Sequence, residues 1–137
     1  MNVIDMTLMR DINLLDRASR VKTSNCFVYN NIIVFAVPRA MMAQAIGPGA
    51  SNVRSIQEQL GKRVKIIAEP QGIEDAQNFV RDIVSPIRFK SLEIKDGIFV
   101  LNAGSTSKAA LIGRNRKRLE ELQQIVKNNF SLDLKII

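Results

Sequence analysis

Two glycine-containing segments carry the residue types best suited to hold a ligand. Residues 46–50 read Ile-Gly-Pro-Gly-Ala and residues 112–116 read Ile-Gly-Arg-Asn-Arg, each between two predicted helices. Basic residues follow inside the second helix of each pair: Arg54 in one, Lys117 and Arg118 in the other. A glycine loop that leads into a helix N-terminus lets a polyanion approach closely and offers it unpaired N–H groups. The pattern therefore predicts phosphate binding, whereas a plain helical corner is the alternative for either loop taken alone.

Composition restricts the chemistry further. The chain has 137 residues, 20 Lys and Arg against 13 Asp and Glu, a net charge of +7, no His and one Cys, Cys26. Zinc fingers, His-ligated metals and Ser-His-Asp or Cys-His catalytic units are therefore excluded. A carboxylate-dependent nuclease lacks an acidic cluster near the loops. We expect a protein that is not an enzyme, with no cofactor, metal or small-molecule substrate, and the basic excess favours nucleic acid over anionic lipid.

The two loops belong to two copies of one longer unit, which are offset by 66 residues. This offset aligns Asn30-Asn31 with Asp96-Gly97, and the apolar run 32–35 with 98–101. The closing apolar segments, 64–67 and 134–137, align after an insertion of four residues. Because the same loop recurs at the same place in both copies, a functional role is favoured over a helical corner.

Each copy predicts the element order α-β-β-α-α-β, and hence an α+β fold. Asn-Asn and Asp-Gly indicate tight hairpins, because these residues tolerate positive φ. Apolar residues at helical spacing, such as Leu8, Ile12 and Leu15, predict a helix before each hairpin. We place two domains at 1–70 and 71–137, joined by a short stiff segment and packed against each other. Four methionines are expected to fill gaps in the core: Met6, Met9, Met41 and Met42.

These loops resemble those of a known RNA-binding family. The family pattern Ile-Gly-x-x-Gly-x-x-Ile/Val between two helices, inside α-β-β-α-α-β, is typical of type II KH domains. The tandem copies, and especially residues 45–47 followed by 51–54, resemble the paired KH region of archaeal NusA-like transcription elongation and termination factors. The resemblance covers almost the whole chain.

The resemblance implies two tandem type II KH domains, each with a three-stranded mixed sheet packed on helices. It also implies single-stranded RNA binding in transcription regulation, whether termination or antitermination, with RNA polymerase or other transcription factors as partners. The residues predicted to bind RNA are Ile46, Gly47, Pro48, Gly49, Ala50, Asn52, Val53, Arg54, Lys65, Ile112, Gly113, Arg114, Asn115, Arg116, Lys117 and Arg118.

The loops depart from the family pattern in ways that distinguish them. The last glycine is replaced by Ala50 and Arg116, which tolerate positive φ poorly, and Pro48 lacks an N–H. We therefore expect weaker phosphate binding at the first loop and a larger electrostatic contribution from the second. Beside the first loop, Ile46, Val53 and the strand around Lys65 and Ile66 are expected to form an apolar groove for bases.

Two other functions stay open from the sequence alone. A ribosomal or ribosome-assembly KH protein would share the fold and differ in the RNA that it binds. A protein-interaction module that bridges polymerase subunits without RNA is favoured by the substitutions Ala50 and Arg116. The sequence has no run of about 18 apolar residues and no basic-then-apolar N-terminus, so we expect a cytoplasmic protein without a membrane partner.

Overall fold

The computed structural model describes residues 6–137. The helices and strands before Pro70 are α1 (Met6–Ser19), β1 (Asn25–Tyr29), β2 (Ile32–Val37), α2 (Met42–Ile46), α3 (Ser51–Leu60) and β3 (Arg63–Ala68). Those after it are α4 (Ala76–Val84), β4 (Ser91–Lys95), β5 (Ile98–Asn102), α5 (Lys108–Ile112), α6 (Lys117–Phe130) and β6 (Leu134–Ile136). The chain divides into two compact units between Glu69 and Pro70. Each unit has the predicted order α-β-β-α-α-β.

Each unit contains one three-stranded mixed sheet. The middle strand, β2 or β5, pairs antiparallel with the strand before it and parallel with the last strand of its unit. The registers correspond, since Ile33 pairs with Val64 as Phe99 pairs with Leu134. The helix before the last strand has 10 residues in the first unit and 14 in the second, which places the four-residue insertion there. The predicted α+β class is thus confirmed.

The hairpins form where the turn residues predict them. Asn30 and Asn31 have φ values of 52° and 62°, and Asp96 and Gly97 have 53° and 78°. Two consecutive positive φ values match the right-handed twist of the strands that the turn connects. Residues that accept this conformation at low cost therefore fix where the chain turns between the first two strands of each sheet.

Each unit has its own apolar core beneath the helices that flank the loops. In the first, Leu15, Phe35 and Ile56 are fully buried in one cluster that joins α1, the sheet and α3. In the second, the Phe130 ring contacts Phe79 edge-on, with ring centroids 5.8 Å apart. Such aromatic contacts stabilise by about 1 kcal/mol beyond the burial of their area. These cores hold in place the helices on either side of each glycine loop.

The expectation that all four methionines fill the core is wrong. Met6, Met9 and Met41 are exposed, with relative accessibilities of 86%, 55% and 43%. Only Met42 packs against the first core. Met9 follows Leu8, which faces this core, and successive helical residues are rotated by about 100°. The side chain of Met9 therefore points away from the core into solvent.

Candidate nucleic-acid interface

The two glycine loops have the same backbone conformation. Gly47 has φ 81° and ψ 164°, and Gly113 has φ 76° and ψ 172°. Two positions later, Gly49 has φ 57° and ψ 29°, and Asn115 has φ 56° and ψ 28°. Over positions 47–50 and 113–116 the loops share only the glycine at the first position, so different sequences adopt one shape.

The fourth loop position is left-handed in both copies without a glycine. Ala50 has φ 60° and ψ 30°, and Arg116 has φ 60° and ψ 21°. A non-glycine residue in this region costs about 1–2 kcal/mol, which the packing of the flanking helices must offset. The two loops therefore share one shape, although neither has a glycine at this position. The remaining differences between the loops are the missing N–H of Pro48 and the local charge.

Matching hydrogen bonds maintain the two loops. The Gly47 N–H donates to the Ala43 carbonyl at 3.0 Å, and the Ala50 N–H donates to the Gly47 carbonyl at 3.0 Å. The residues 66 positions later in the chain make the same two bonds, at 2.9 and 3.2 Å. The duplicated sequence thus builds a duplicated corner.

Both helices that follow the loops begin without a side-chain cap. Their N-cap residues, Ala50 and Arg116, accept no hydrogen bond from the first turn. The Ser51 and Lys117 N–H groups, the first of each helix, donate to the Pro48 and Arg114 carbonyls of the loops. The N–H groups that follow them in the first turn concentrate partial positive charge, where an external anion such as a phosphate can be bound.

A side chain cannot be accommodated at the first loop position. The φ and ψ values of Gly47 and Gly113 lie in a region that essentially only glycine adopts. A Cβ on Gly47 would lie 2.7 Å from Ser51 Oγ and 2.9 Å from Asn52 Nδ2. A Cβ on Gly113 would overlap the side chain of Arg118. Both glycines are therefore required by the geometry of the corner.

The charge differs between the loops. In the second loop Arg114, Arg116 and Lys117 are exposed, and none of them has an ion-pair partner among residues 6–137. Arg118, by contrast, forms an ion pair with Glu121, and its side chain is only 19% exposed. The exposed cations of the second loop are therefore fewer than the sequence alone indicates.

Near the first loop, Arg54 on α3 supplies a positive charge. A Cβ built on Gly49 would have Arg54 Nη2 as its nearest neighbour, at 3.9 Å. The guanidinium of Arg54 thus reaches back from α3 over the loop. Pro48 and Gly49 themselves are exposed.

The apolar residues predicted beside the first loop are brought together only in part. Ile46 and Val53 pack, half-buried, against the core that contains Ile66. Lys65 is half-buried and precedes Ile66 on the same strand. Because side chains alternate between the two faces of a sheet, Lys65 lies on the other face and is separated from this group. In the second loop, Ile112 is half-buried at the position of Ile46.

Asn52 and a residue that sequence reasoning missed connect the helices at the first corner. Asn52 Nδ2 donates to the Gln44 carbonyl at 3.0 Å, and Gln44 Nε2 donates to the Ser19 carbonyl at 2.9 Å. These bonds join α3 to α2 and α2 to the end of α1. No motif marks Gln44 in the sequence, because its partner is 25 residues away along the chain.

The chemistry available at these corners is anion binding by amides and cations. The described residues contain no group of three or more His, Cys, Asp or Glu that could hold a metal ion. None of the helices within residues 6–137 has the length and apolar character needed to cross a membrane.

Comparison with known proteins shows which proteins this chain is similar to. No protein-family model matches the chain. A curated protein of Halococcus morrhuae, named "Probable transcription termination protein NusA", is 24% identical over 130 residues, covering 93% of this chain and 91% of its own. A Methanocaldococcus jannaschii protein of the same name is 26% identical over 122 residues, covering 86% of this chain and 65% of its own. The chain is thus similar to archaeal proteins named as NusA transcription termination proteins.

The chain spans only part of some of these relatives. It spans just under two thirds of the Methanocaldococcus jannaschii protein and about half of a Methanococcus vannielii protein of the same name, which is 27% identical over 97 residues. The crystal structure of APE1850 superposes with a TM-score of 0.66 and 21% identity, covering 98% of this chain and 100% of that one. This likeness concerns the fold alone.

Proposed function

We propose that this NusA-like protein binds single-stranded RNA during transcription, through two type II KH domains at residues 1–70 and 71–137. The observation that carries the proposal is the duplicated corner, with closely similar dihedral angles at Gly47 and Gly113 and a helix without a side-chain cap after each loop. Two copies of one anion-binding geometry in a basic chain are suited to a polyanion whose phosphate groups repeat along the strand. The names of the relatives, which are transcription termination proteins, support a role in transcription.

In this mechanism, the loops hold the RNA backbone. First-turn N–H groups of α3 and α6 beyond those of Ser51 and Lys117, which donate to loop carbonyls, donate to phosphate oxygens. Exposed cations add charge-assisted bonds. The second loop supplies Arg114, Arg116 and Lys117, whereas the first supplies Arg54 and lacks one N–H at Pro48. The second loop therefore provides most of the electrostatic affinity.

Bases are accepted by aliphatic surface beside each loop. Ile46 and Val53 are half-buried next to the first loop, and Ile112 holds the place of Ile46 in the second. Phe35, Phe79 and Phe99 are buried and cannot stack on bases, whereas Phe27, Phe89 and Phe130 are half-buried. The base contacts proposed beside the loops are aliphatic packing and hydrogen bonds to base edges. Two sites on one chain raise the affinity for a strand that reaches both.

The role in the cell follows from the family. A cytoplasmic, non-enzymatic factor of elongation, termination or antitermination would bind nascent RNA, with RNA polymerase or other transcription factors as protein partners. Crosslinking to cellular RNA followed by sequencing tests this role. Footprints on nascent transcripts support it, and footprints confined to ribosomal RNA would instead support a ribosomal or ribosome-assembly protein.

The salt dependence of RNA binding tests the interface itself. If four to six phosphates are contacted, log K against log salt falls with a slope of about −3 to −4 for single strands. Affinity for a single-stranded RNA of about 12 nucleotides then drops roughly 100-fold between about 50 and 200 mM salt. A protein that shows no RNA binding, or a flat salt response, would contradict the proposal and favour the polymerase-bridging module.

A further inference from the structure

A groove lies between α1 and α3, in the first unit. It has a volume of about 650 Å³ and opens to solvent. Residues from both helices line it, including Met6, Met9, Arg10, Leu14, Arg17 and Leu60. None of these residues belongs to the glycine loops. The groove is therefore a surface that the RNA proposal does not use.

The groove combines an apolar floor with adaptable apolar edges. Leu14 and Leu60 are half-buried and pack against the first core. Met6 and Met9 are 86% and 55% exposed on the same helix. Exposed methionines are frequent on surfaces that bind apolar side chains of varied shape, because the thioether is flexible and polarizable. The apolar character indicates a partner that inserts apolar side chains.

Its charge is positive. Arg10 and Arg17 both line the groove, and no carboxylate does among the described residues. Two carboxylates adjoin these arginines in sequence without lining the groove: Asp11, next to Arg10, is 1% exposed, and Asp16, next to Arg17, is half-buried. Asp11 Oδ1 lies 3.9 Å from Arg10 Nε, while the Arg10 side chain stays 70% exposed. The two arginines are seven residues apart on one helix, or about two turns and 10 Å. Two carboxylates at the same spacing on the helix of a partner could pair with both arginines.

We propose that this groove binds an acidic amphipathic helix of a partner protein. Apolar side chains at i, i+3 or i+4, and i+7 would rest on Leu14, Leu60 and the methionines, and acidic residues would pair with Arg10 and Arg17. RNA is a poorer occupant, because the backbone N–H groups in the body of α1 and α3 are bonded within the helices and only the arginines could meet phosphates. Charge complementarity and the apolar lining thus select an acidic protein segment.

Model peptides test the proposal on the full chain. Helical peptides of about 16 residues carry leucines at i, i+4 and i+7, with Glu, Gln or Lys between them. Amide chemical-shift mapping should place the Glu peptide on α1 and α3, with an affinity at least about tenfold above that of the Gln peptide. Equal affinities, or shifts confined to the glycine loops, would overturn the proposal.

Charge reversal sharpens the test. The variant Arg10→Glu/Arg17→Glu should lose at least about tenfold in affinity for the Glu peptide and gain affinity for the Lys peptide. The control Lys22→Glu/Arg39→Glu reverses two exposed charges outside the groove and should stay within about twofold of the parent chain. Should the double variant misfold by circular dichroism, Met9→Ser and Arg17→Glu, singly, should each weaken Glu-peptide binding.

Two other possible occupants of the groove would give different results in these experiments. Displacement of the Glu peptide by a single-stranded RNA would identify the groove as a nucleic-acid surface and overturn the assignment. Peptide binding that appears only after removal of residues 1–5 would make this segment the occupant, with the same consequence. Because the glycine-loop residues are unchanged in every variant, RNA affinity measured in parallel separates failure of this proposal from failure of the RNA interface.

Discussion

Replacing Arg114, Arg116 and Lys117 together by glutamine removes the exposed cations of the second loop. Each of these side chains is exposed and without an ion-pair partner within residues 6–137. The variant should therefore keep its fold and bind RNA through three fewer phosphates. Each phosphate bound on a single strand contributes about −0.7 to the slope of log K against log salt, so the slope should become shallower by about 2.

The structure makes a different prediction for the neighbouring arginine. Arg118 is already neutralised by Glu121, in an ion pair that is largely shielded from solvent. Arg118→Gln should therefore change the slope by less than about 0.3, well below the value for one phosphate. The sequence alone would give all four cations equal weight. The two variants together test whether exposure and pairing, and not the mere presence of a basic residue, determine phosphate binding.

Fluorescence anisotropy with a labelled single-stranded RNA, repeated over a series of salt concentrations, measures these slopes. The matched control is Arg81→Gln/Arg88→Gln/Lys90→Gln, which removes the same charge from exposed positions in the same unit. Circular dichroism verifies that all variants fold. An equal change of slope in the control would show that net charge, and not the loop, governs affinity. A slope that becomes shallower by about 0.7 in Arg118→Gln would refute the neutralisation of that residue by Glu121.

Three further substitutions test the corners and the core by urea unfolding. Gly47→Ala should lower the free energy of unfolding by about 3 kcal/mol, since the φ and ψ of Gly47 exclude other residues and a Cβ there meets Ser51 and Asn52. An unchanged urea midpoint would contradict the clash. Gly49→Asn should change the free energy of unfolding by less than about 0.5 kcal/mol, because Asn115 holds the same conformation in the second loop. A larger loss would show that the two loops are not equivalent. Leu122→Ala, at a fully buried site, should lower the free energy of unfolding by about 3 kcal/mol. A loss below about 1 kcal/mol would mean that the second core relaxes to fill the space left by the leucine side chain.

Much of the fold could be predicted from local sequence. Asn30-Asn31 and Asp96-Gly97 determine the hairpins through their tolerance of positive φ, and the α+β order follows from the periodicity between them. The position of Met9 was predicted incorrectly, because Met9 lies off the stripe of α1 that faces the core, and the helical period gives its exposure. The strand period places Lys65 on the other face of β3 from Ile66, and its role in RNA binding stays a prediction.

The roles of the loop residues in RNA binding stay predictions, but the structure refines which of them can act. Ala50 and Arg116 adopt the left-handed conformation that their residue types disfavour. Their intrinsic preferences are worth about 1–2 kcal/mol, which is small beside the packing of the helices on either side. The first loop therefore has the same shape as the second, and weaker phosphate binding there stays a prediction.

The amino-acid sequence by itself determined the duplication, the turns and the excess of positive charge, because these depend on residues that are close together in the chain or on composition. Tertiary structure decided which side chains meet. The bond from Asn52 to Gln44 and the open groove between α1 and α3 arise from helices that pack across the chain. Such contacts depend on the distances and directions that the core imposes, and no local pattern contains that information.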